Sequence, residues 1–205
     1  MMIKNIIFDV GNVLIGWSPE VSMDILGFTP EEKKAVMKAI FSDWSVWNEE
    51  DRGVKSHDEL VEFLVSQAPE IGDLIKRFYD GAVLSASPRD YTRGWLKDLS
   101  TAGYGVYVLS NFGERAQKRA VELGAINFLD LLDGYIFSYM IHEIKPDRAI
   151  FDALAEKYGL NLGECVFIDD REDNVEAAKS YGMQGIVFTG YEDACEKLRA
   201  LGVNF

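Results

Sequence analysis

Ile3-Lys4-Asn5-Ile6-Ile7-Phe8-Asp9 opens the chain with an apolar run that stops on a carboxylate. Its length and β-branched content are those of a strand. It lacks the alternation of a strand with one wet face, so it reads as a central strand buried on both sides. Four later stretches have the same form: Tyr104 to Leu109, Gly134 to Phe137, Cys165 to Ile168 and Gly185 to Phe188. Helical periodicity fills the spaces between and after them, over Glu114 to Leu123, Pro146 to Tyr158, Arg171 to Tyr181 and Tyr191 to Leu201. Strands alternating with helices predict an α/β fold, a doubly wound parallel sheet of Rossmann-like type with helices on both faces.

Residues 16 to 100 break the alternation. Ser18-Pro19, Thr29-Pro30-Glu31-Glu32, Ser56-His57-Asp58-Glu59 and Ser87-Pro88 read as helix N-termini, with Pro in the first turn or an acidic residue closing a capping box. Val36 and Ile40, Leu60 and Leu64, and Leu74 and Phe78 recur four apart, giving stripes that short helices must bury against one another. The expected organisation is a core of residues 1–15 and 101–205 with a helical cap inserted at 16–100. The last helix of that insertion, about 88–100, suits either unit.

At 205 residues the chain is long for one simple domain and short for two, which suits a core with an insertion. Twenty-one basic against 34 acidic residues give a net charge of -13, which repels nucleic-acid phosphates and anionic membranes, so neither is an expected partner. Cys165 and Cys195 are too few for a disulfide framework and read as reduced thiols. With no basic leader and apolar stretch at the start, the expected location is the cytoplasm. The sequence says nothing of oligomeric state.

In an open parallel sheet, ligands lie beyond the carboxyl ends of the strands. Asp9, Ser110-Asn111, Lys145 and Asp169-Asp170 all stand at such ends. Singly, each is ordinary strand-end or helix-cap chemistry. Together, three carboxylates repel one another unless a cation neutralises them, and an oxygen-only set suits Mg²⁺. Lys145 and Ser110 complete a pocket for a phosphoryl group, and the set reads as phosphoryl transfer to an aspartate. The expected partner is a small phosphorylated molecule.

Phe8-Asp9-Val10-Gly11-Asn12-Val13-Leu14, Val108-Leu109-Ser110-Asn111, Lys145-Pro146-Asp147 and Val166-Phe167-Ile168-Asp169-Asp170 resemble, in order, the four motifs of the haloacid dehalogenase (HAD) superfamily. The insertion falls where that family places a helical cap. Asp51-Arg52-Gly53 followed by Ser56 resembles a cap segment of the branch that includes bacterial α-D-glucose-1-phosphate phosphatases. The resemblance implies that Asp9 is the nucleophile and a Mg²⁺ ligand, with Asp170 ligating directly and Asp169 directly or through water. It further implies that Ser110 and Asn111 hold the phosphoryl group and that Lys145 neutralises it and orients Asp9. Most phosphatases of the family carry a second Asp two residues after the nucleophile as general acid and base. Here Gly11 stands there, able to offer a backbone carbonyl to the metal but no proton. A sugar 1-phosphate, with its good leaving group, would suit that loss.

Among the aromatic residues near the insertion, Trp17 and Trp47 are the candidates for a substrate wall. Arg52 is a candidate substrate contact or a surface ion pair with Asp51 or Glu50, and His57 reads as solvated. A 2-haloacid dehalogenase is the competing enzyme, since its first motif also lacks the second Asp and halide needs no proton. Against it stand the Asp169-Asp170 pair and the absence of a Tyr-Gly-Thr continuation after the nucleophile. The third reading is a catalytically lapsed protein that binds a phosphorylated ligand.

Overall fold

A computed structural model describes residues 2–205. In chain order its elements begin with β1 (Asn5–Phe8) and β2 (Ile15–Gly16). Helices α1 (Pro19–Ile25), α2 (Pro30–Phe41), α3 (Ser45–Arg52), α4 (His57–Gln67) and α5 (Gly72–Gly81) follow, then β3 (Ser87–Pro88) and α6 (Thr92–Thr101). Strands then alternate with helices: β4 (Gly105–Ser110), α7 (Glu114–Glu122), β5 (Gly134–Phe137), α8 (Arg148–Tyr158), β6 (Cys165–Asp169), α9 (Glu172–Ser180), β7 (Gln184–Val187) and α10 (Tyr191–Ala200).

Five strands form one sheet in the order β5-β4-β1-β6-β7, every pair parallel, with β1 at the centre. The period of two sends alternate residues of β1 to opposite faces. Ile6 and Phe8 join Trp95, Leu96 and Leu99 of α6 and Leu198 of α10 in one apolar cluster. Ile7 joins Ile150, Phe151 and Leu154 of α8 and Ala178 of α9 in another. Both faces are therefore dry, which is why β1 is apolar without alternation.

Helices α1 to α5 bury their own cluster, including Met23, Val36, Ile40, Leu64, Ile75 and Phe78. Capping boxes at Thr29 with Glu32 and at Ser56 with Glu59 start α2 and α4, as their sequences predict. Ser87-Pro88 does not start a helix. It pairs antiparallel with Ile15-Gly16, so a two-stranded ribbon carries the chain between sheet and cap. The ribbon sits where the chain leaves and re-enters the core, and this long-range pairing outweighs the local Ser-Pro signal. Pro88 fits because a two-residue edge strand needs few N–H donors. The next helix begins at Thr92 and buries Trp95 against Phe8, ring centroids 4.8 Å apart.

No helix among the described residues is long and apolar enough to cross a membrane. Both cysteines are free and buried.

Candidate active site

Asp9 leaves β1 at the carboxyl edge of the sheet, its backbone N–H held by the Ile168 carbonyl at 2.9 Å. Its Oδ1 accepts from Ser110 Oγ at 2.8 Å and from Lys145 Nζ at 2.6 Å. Oδ2 receives no hydrogen bond from the described residues. Burial raises the Asp9 pKa to about 6; Lys145 opposes that and Asp169 adds to it.

Lys145 Nζ also reaches Asp169 Oδ2 at 2.7 Å. Burial works against its ammonium, but Asp169 and Asp9 reverse the effect and leave its pKa above the ordinary value. The loop bearing it is fixed by Asn111, whose amide donates to the Lys145 carbonyl at 3.0 Å and accepts its N–H at 2.7 Å. Asn111 thus positions the Lys145 loop through its side chain, and it also lines the cavity where the sequence places a phosphoryl contact.

Asp169 ends β6 fully buried and engaged on both oxygens, by Lys145, by the Arg171 N–H at 2.8 Å and by the Asn174 amide at 3.1 and 3.2 Å. Asp170, one residue on, is hydrogen-bonded among the described residues by the Asn12 amide at 3.5 Å. Its pKa is raised by burial and then by Asp169. One oxygen from each of Asp9, Asp169 and Asp170 lies within 4.8 Å of the others. Against three carboxylates stands one buried ammonium, so the cluster has the charge deficit and the hard oxygen donors that fit a divalent cation. With Asp169 engaged, Asp9 Oδ2 and Asp170 are the free donors.

Gly11 follows without a left-handed backbone, and a Cβ placed there would meet only Asp9 Oδ2, at 3.8 Å. Asn12 takes the left-handed turn at φ 56°, which Asn tolerates, and accepts the Trp17 N–H at 3.3 Å. It shapes the loop and carries no ionisable group.

A cavity of about 460 Å³ lies over this floor. Its roof is the helical insertion. Trp44, Trp47, Asn48 and Asp51 recur at helical spacing, so one face of α3 lines it, with Trp17 opposite Trp47 at 5.5 Å between ring centroids. Trp17 Nε1 is committed to the Ala82 carbonyl at 2.7 Å, so its indole N–H is not open to a ligand.

Arg52 lies outside the cavity. It bonds Asp147 at 3.0 Å and lies 3.7 Å from Glu143 and 3.6 Å from Glu49, instead of Asp51 or Glu50. His57 is not simply solvated: it stands beside Glu50 at 3.5 Å and contacts Arg115, lining a neighbouring cavity of about 560 Å³.

Two residues escape sequence reasoning. Asn174 is buried one turn into α9 and holds Asp169, where the sequence shows only a helix start. Asp51 is 8% exposed, and burial, then Glu50 beside it, pushes its pKa up to about 8 while the Gly113 N–H pulls the other way. The three-four spacing from Trp44 and Trp47 is the one signal that places it on the cavity face.

The chain is 27% identical over 198 residues to a sesquiterpene phosphatase of Aspergillus oryzae, covering 97% of this chain and 96% of the relative. It shares its fold with a HAD family enzyme of Bacteroides thetaiotaomicron, at TM-score 0.75 and 23% identity over 97% of this chain and all of the other. A second structure of that enzyme, in complex with magnesium and inorganic phosphate, matches at TM-score 0.69 and 23% identity, covering 90% of this chain and 93% of the other. The profile of haloacid dehalogenase-like hydrolases matches residues 3–182, which takes in Asp9, Ser110, Lys145, Asp169 and Asp170, and the chain belongs to that family.

Proposed function

We propose that the protein is a Mg²⁺-dependent phosphatase acting on a small phosphate monoester through an aspartyl-phosphate at Asp9. The observation that carries this reading is the state of the Asp9 carboxylate: Oδ1 is pinned by Ser110 and Lys145, Oδ2 accepts no hydrogen bond from the described residues, and Asp9 and Asp170 both line the cavity. A carboxylate held by one oxygen presents the other at a fixed attack angle, which is how positioning lowers a phosphoryl-transfer barrier.

Asp170 and the Gly11 carbonyl would hold the magnesium ion beside the Asp9 carboxylate, with Asp169 reaching it through water. When bound, the ion neutralises charge on the transferring phosphoryl oxygens. Lys145 does the same from the opposite side of Asp9 and keeps the carboxylate ionised. Ser110 orients Asp9, and Asn111 keeps Lys145 in reach. Asn174 and the Arg171 N–H hold Asp169 so that Lys145 is shared between two carboxylates. The magnesium and phosphate bound by the Bacteroides enzyme support this assignment.

The roof bears on the substrate. Ile15, Trp17, Trp44, Trp47 and Val83 are apolar, and Asn48 and Asp51 alone add polar side chains from the cap. A sugar phosphate brings several hydroxyls that this wall leaves unpaired, and unpaired buried polar groups are costly. An apolar monoester, such as a prenyl or long alkyl phosphate, fits better, and the sesquiterpene phosphatase relative supports that preference. On this reading the insertion expected at residues 16–100 supplies the selective roof through α1 to α5, and the sheet, with α6 packed on it, supplies the chemistry.

The test is a phosphate-release screen with Mg²⁺ over prenyl, alkyl and aryl phosphates, sugar 1-phosphates, nucleotides and acyl phosphates, with hydroxylamine trapping of the aspartyl intermediate. Turnover of apolar monoesters that stops in EDTA is expected. Chloride release from 2-haloacids without phosphate release would replace this reading with the dehalogenase. Phosphate binding without turnover of any ester would replace it with a lapsed binding protein.

A further inference from the structure

The phosphatase reading leaves a gap: an alkyl or prenyl alcohol is a poor leaving group, and the core offers no acid at Gly11. In-line displacement puts the leaving oxygen opposite the attacking one. Asp9 attacks from the floor, so the leaving oxygen faces the roof. Among the described residues that line the cavity from the cap, Asp51 is the ionisable one; the others are Trp17, Trp44, Trp47, Asn48, Val83 and Ala86.

We propose that Asp51, delivered by the cap, is the general acid and base that the Gly11 position lacks. Resting on the phosphatase reading, the reaction balances in two steps. Asp9 Oδ2 bonds to phosphorus, the bond from phosphorus to the ester oxygen breaks, and that oxygen takes its electron pair and the Asp51 proton, leaving as the alcohol. Asp51, now a carboxylate, takes a proton from the water that attacks the aspartyl-phosphate. The bond from phosphorus to Asp9 breaks with its electron pair returning to Asp9, and inorganic phosphate leaves.

The fold holds Asp51 against the core from both sides. Its carbonyl accepts from Ser138 Oγ at 2.5 Å. The next carbonyl, of Arg52, meets His142 Nδ1 at 2.8 Å, and the Arg52 guanidinium bonds Asp147. Gly53 takes φ 66°, and a Cβ there would stand 3.0 Å from Tyr139 Cβ. A Cβ on Gly113 would come within 2.9 Å of the Glu50 carbonyl. Such close backbone seams on either side are what the Asp51-Arg52-Gly53 segment provides. The carboxyl keeps its proton at neutral pH because burial, reinforced by Glu50, raises its pKa to about 8, where an acid is well matched to catalysis. Its proton returns in the second step, from the water that attacks the aspartyl-phosphate.

The experiment compares an alkyl phosphate with p-nitrophenyl phosphate, whose leaving group needs no proton, in wild type, Asp51→Asn, Gly11→Asp and the double variant. Asp51→Asn should lower kcat/KM on the alkyl ester by about 100-fold or more, yet lower the aryl rate by less than tenfold. Gly11→Asp, which the backbone and the open space at Gly11 allow, should restore the alkyl rate in the Asp51→Asn background. In wild type, the ratio of alkyl to aryl rates should fall above pH 8. Glu50 on the same helix, Tyr79 from α5, and Asp9 and Lys145 from the core face Asp51. Asp9 and Lys145 act on both esters alike, so their contribution cancels in that ratio. Equal losses on both esters overturn the role of Asp51 and leave the phosphatase standing. An alkyl-to-aryl ratio independent of pH does the same, even if Asp51→Asn does not fold. Absence of phosphate release by the wild type from every ester overturns both readings.

Discussion

Replacing Asp51 with Asn should stabilise the protein, and increasingly so as the pH rises from 4 to 8. The carboxyl is 8% exposed, and burial followed by the nearby Glu50 carries its pKa from 3.8 up to about 8. Below pH 4, folded and unfolded chains both hold the proton and the residue makes no difference. Between pH 4 and pH 8 the unfolded chain releases it and the folded chain keeps it, so each pH unit removes about 1.4 kcal/mol from the wild type. Above pH 8 both are ionised, and the deficit stays constant at roughly 5 kcal/mol, less whatever water in the adjoining cavity screens. The Asn amide keeps the shape, can accept from the Gly113 N–H, and does not titrate. Since 1 kcal/mol moves Tm by about 2–4 °C in a protein of this size, the variant should gain about 3–5 °C on the wild type per pH unit between 5 and 8. Calorimetry of the two proteins at matched pH and ionic strength measures this. Groups that do not interact with Asp51 drop out of the difference. Melting curves that run parallel from pH 5 to pH 9 would refute a buried neutral acid, whatever their offset.

Asp9→Asn should abolish phosphate release while circular dichroism shows an intact fold; residual activity above about a tenth, or 1.4 kcal/mol, would exclude a covalent role for Asp9. Asp169 and Asp170, adjacent in sequence, should separate on mutation. Asp169→Ala strips Lys145 and Asn174 of a shared partner and should cost about 3–5 kcal/mol in chemical denaturation, whereas Asp170→Ala should leave stability nearly unchanged and raise the Mg²⁺ needed for half-maximal activity by about 10-fold or more. Trp17→Ala and Trp47→Ala should each raise KM for apolar monoesters by about 2- to 10-fold, the worth of one aromatic contact, with kcat on a small aryl phosphate little changed. Equal effects on large and small esters would remove the two rings from the substrate wall.

The sheet was legible because its central strands are dry on both faces. Ile6, Ile7 and Phe8 point alternately into two clusters, so no polar residue interrupts them and the run ends only at the catalytic edge. The helical insertion announced itself through capping boxes, whose residues act locally and so survive in sequence. Ser87-Pro88 misled because two residues of ribbon are decided by their partner, Ile15-Gly16, some seventy positions away. The same division runs through the site. Asp9, Ser110, Lys145, Asp169 and Asp170 are found by one rule, that polar residues ending parallel strands face a common edge. Asn111 obeys the rule, yet its partner is the Lys145 backbone, a pairing across two loops that no pattern encodes.

Asp51 lies beyond that rule altogether, since it reaches the edge from a helix packed over it. The sequence leaves Arg52, its neighbour, as either a substrate contact or a surface ion pair, and the structure pairs that side chain with Asp147. What makes Asp51 distinctive is burial, and burial of a carboxyl is costly. The cost is met along the docking seam, by Ser138 on the Asp51 carbonyl, His142 on the Arg52 carbonyl, and the two glycines that let α3 approach. Burial and protonation are then one equilibrium: lifting α3 from the core exposes Asp51, returns its pKa toward the ordinary carboxylate value and releases its proton at neutral pH. A core that carried its own acid at position 11 would protonate a leaving group with the cap open or closed. A chain that keeps Gly11 and places its acid on the cap can do so only when the cap is down, which is also when water is excluded from the rest of the cavity.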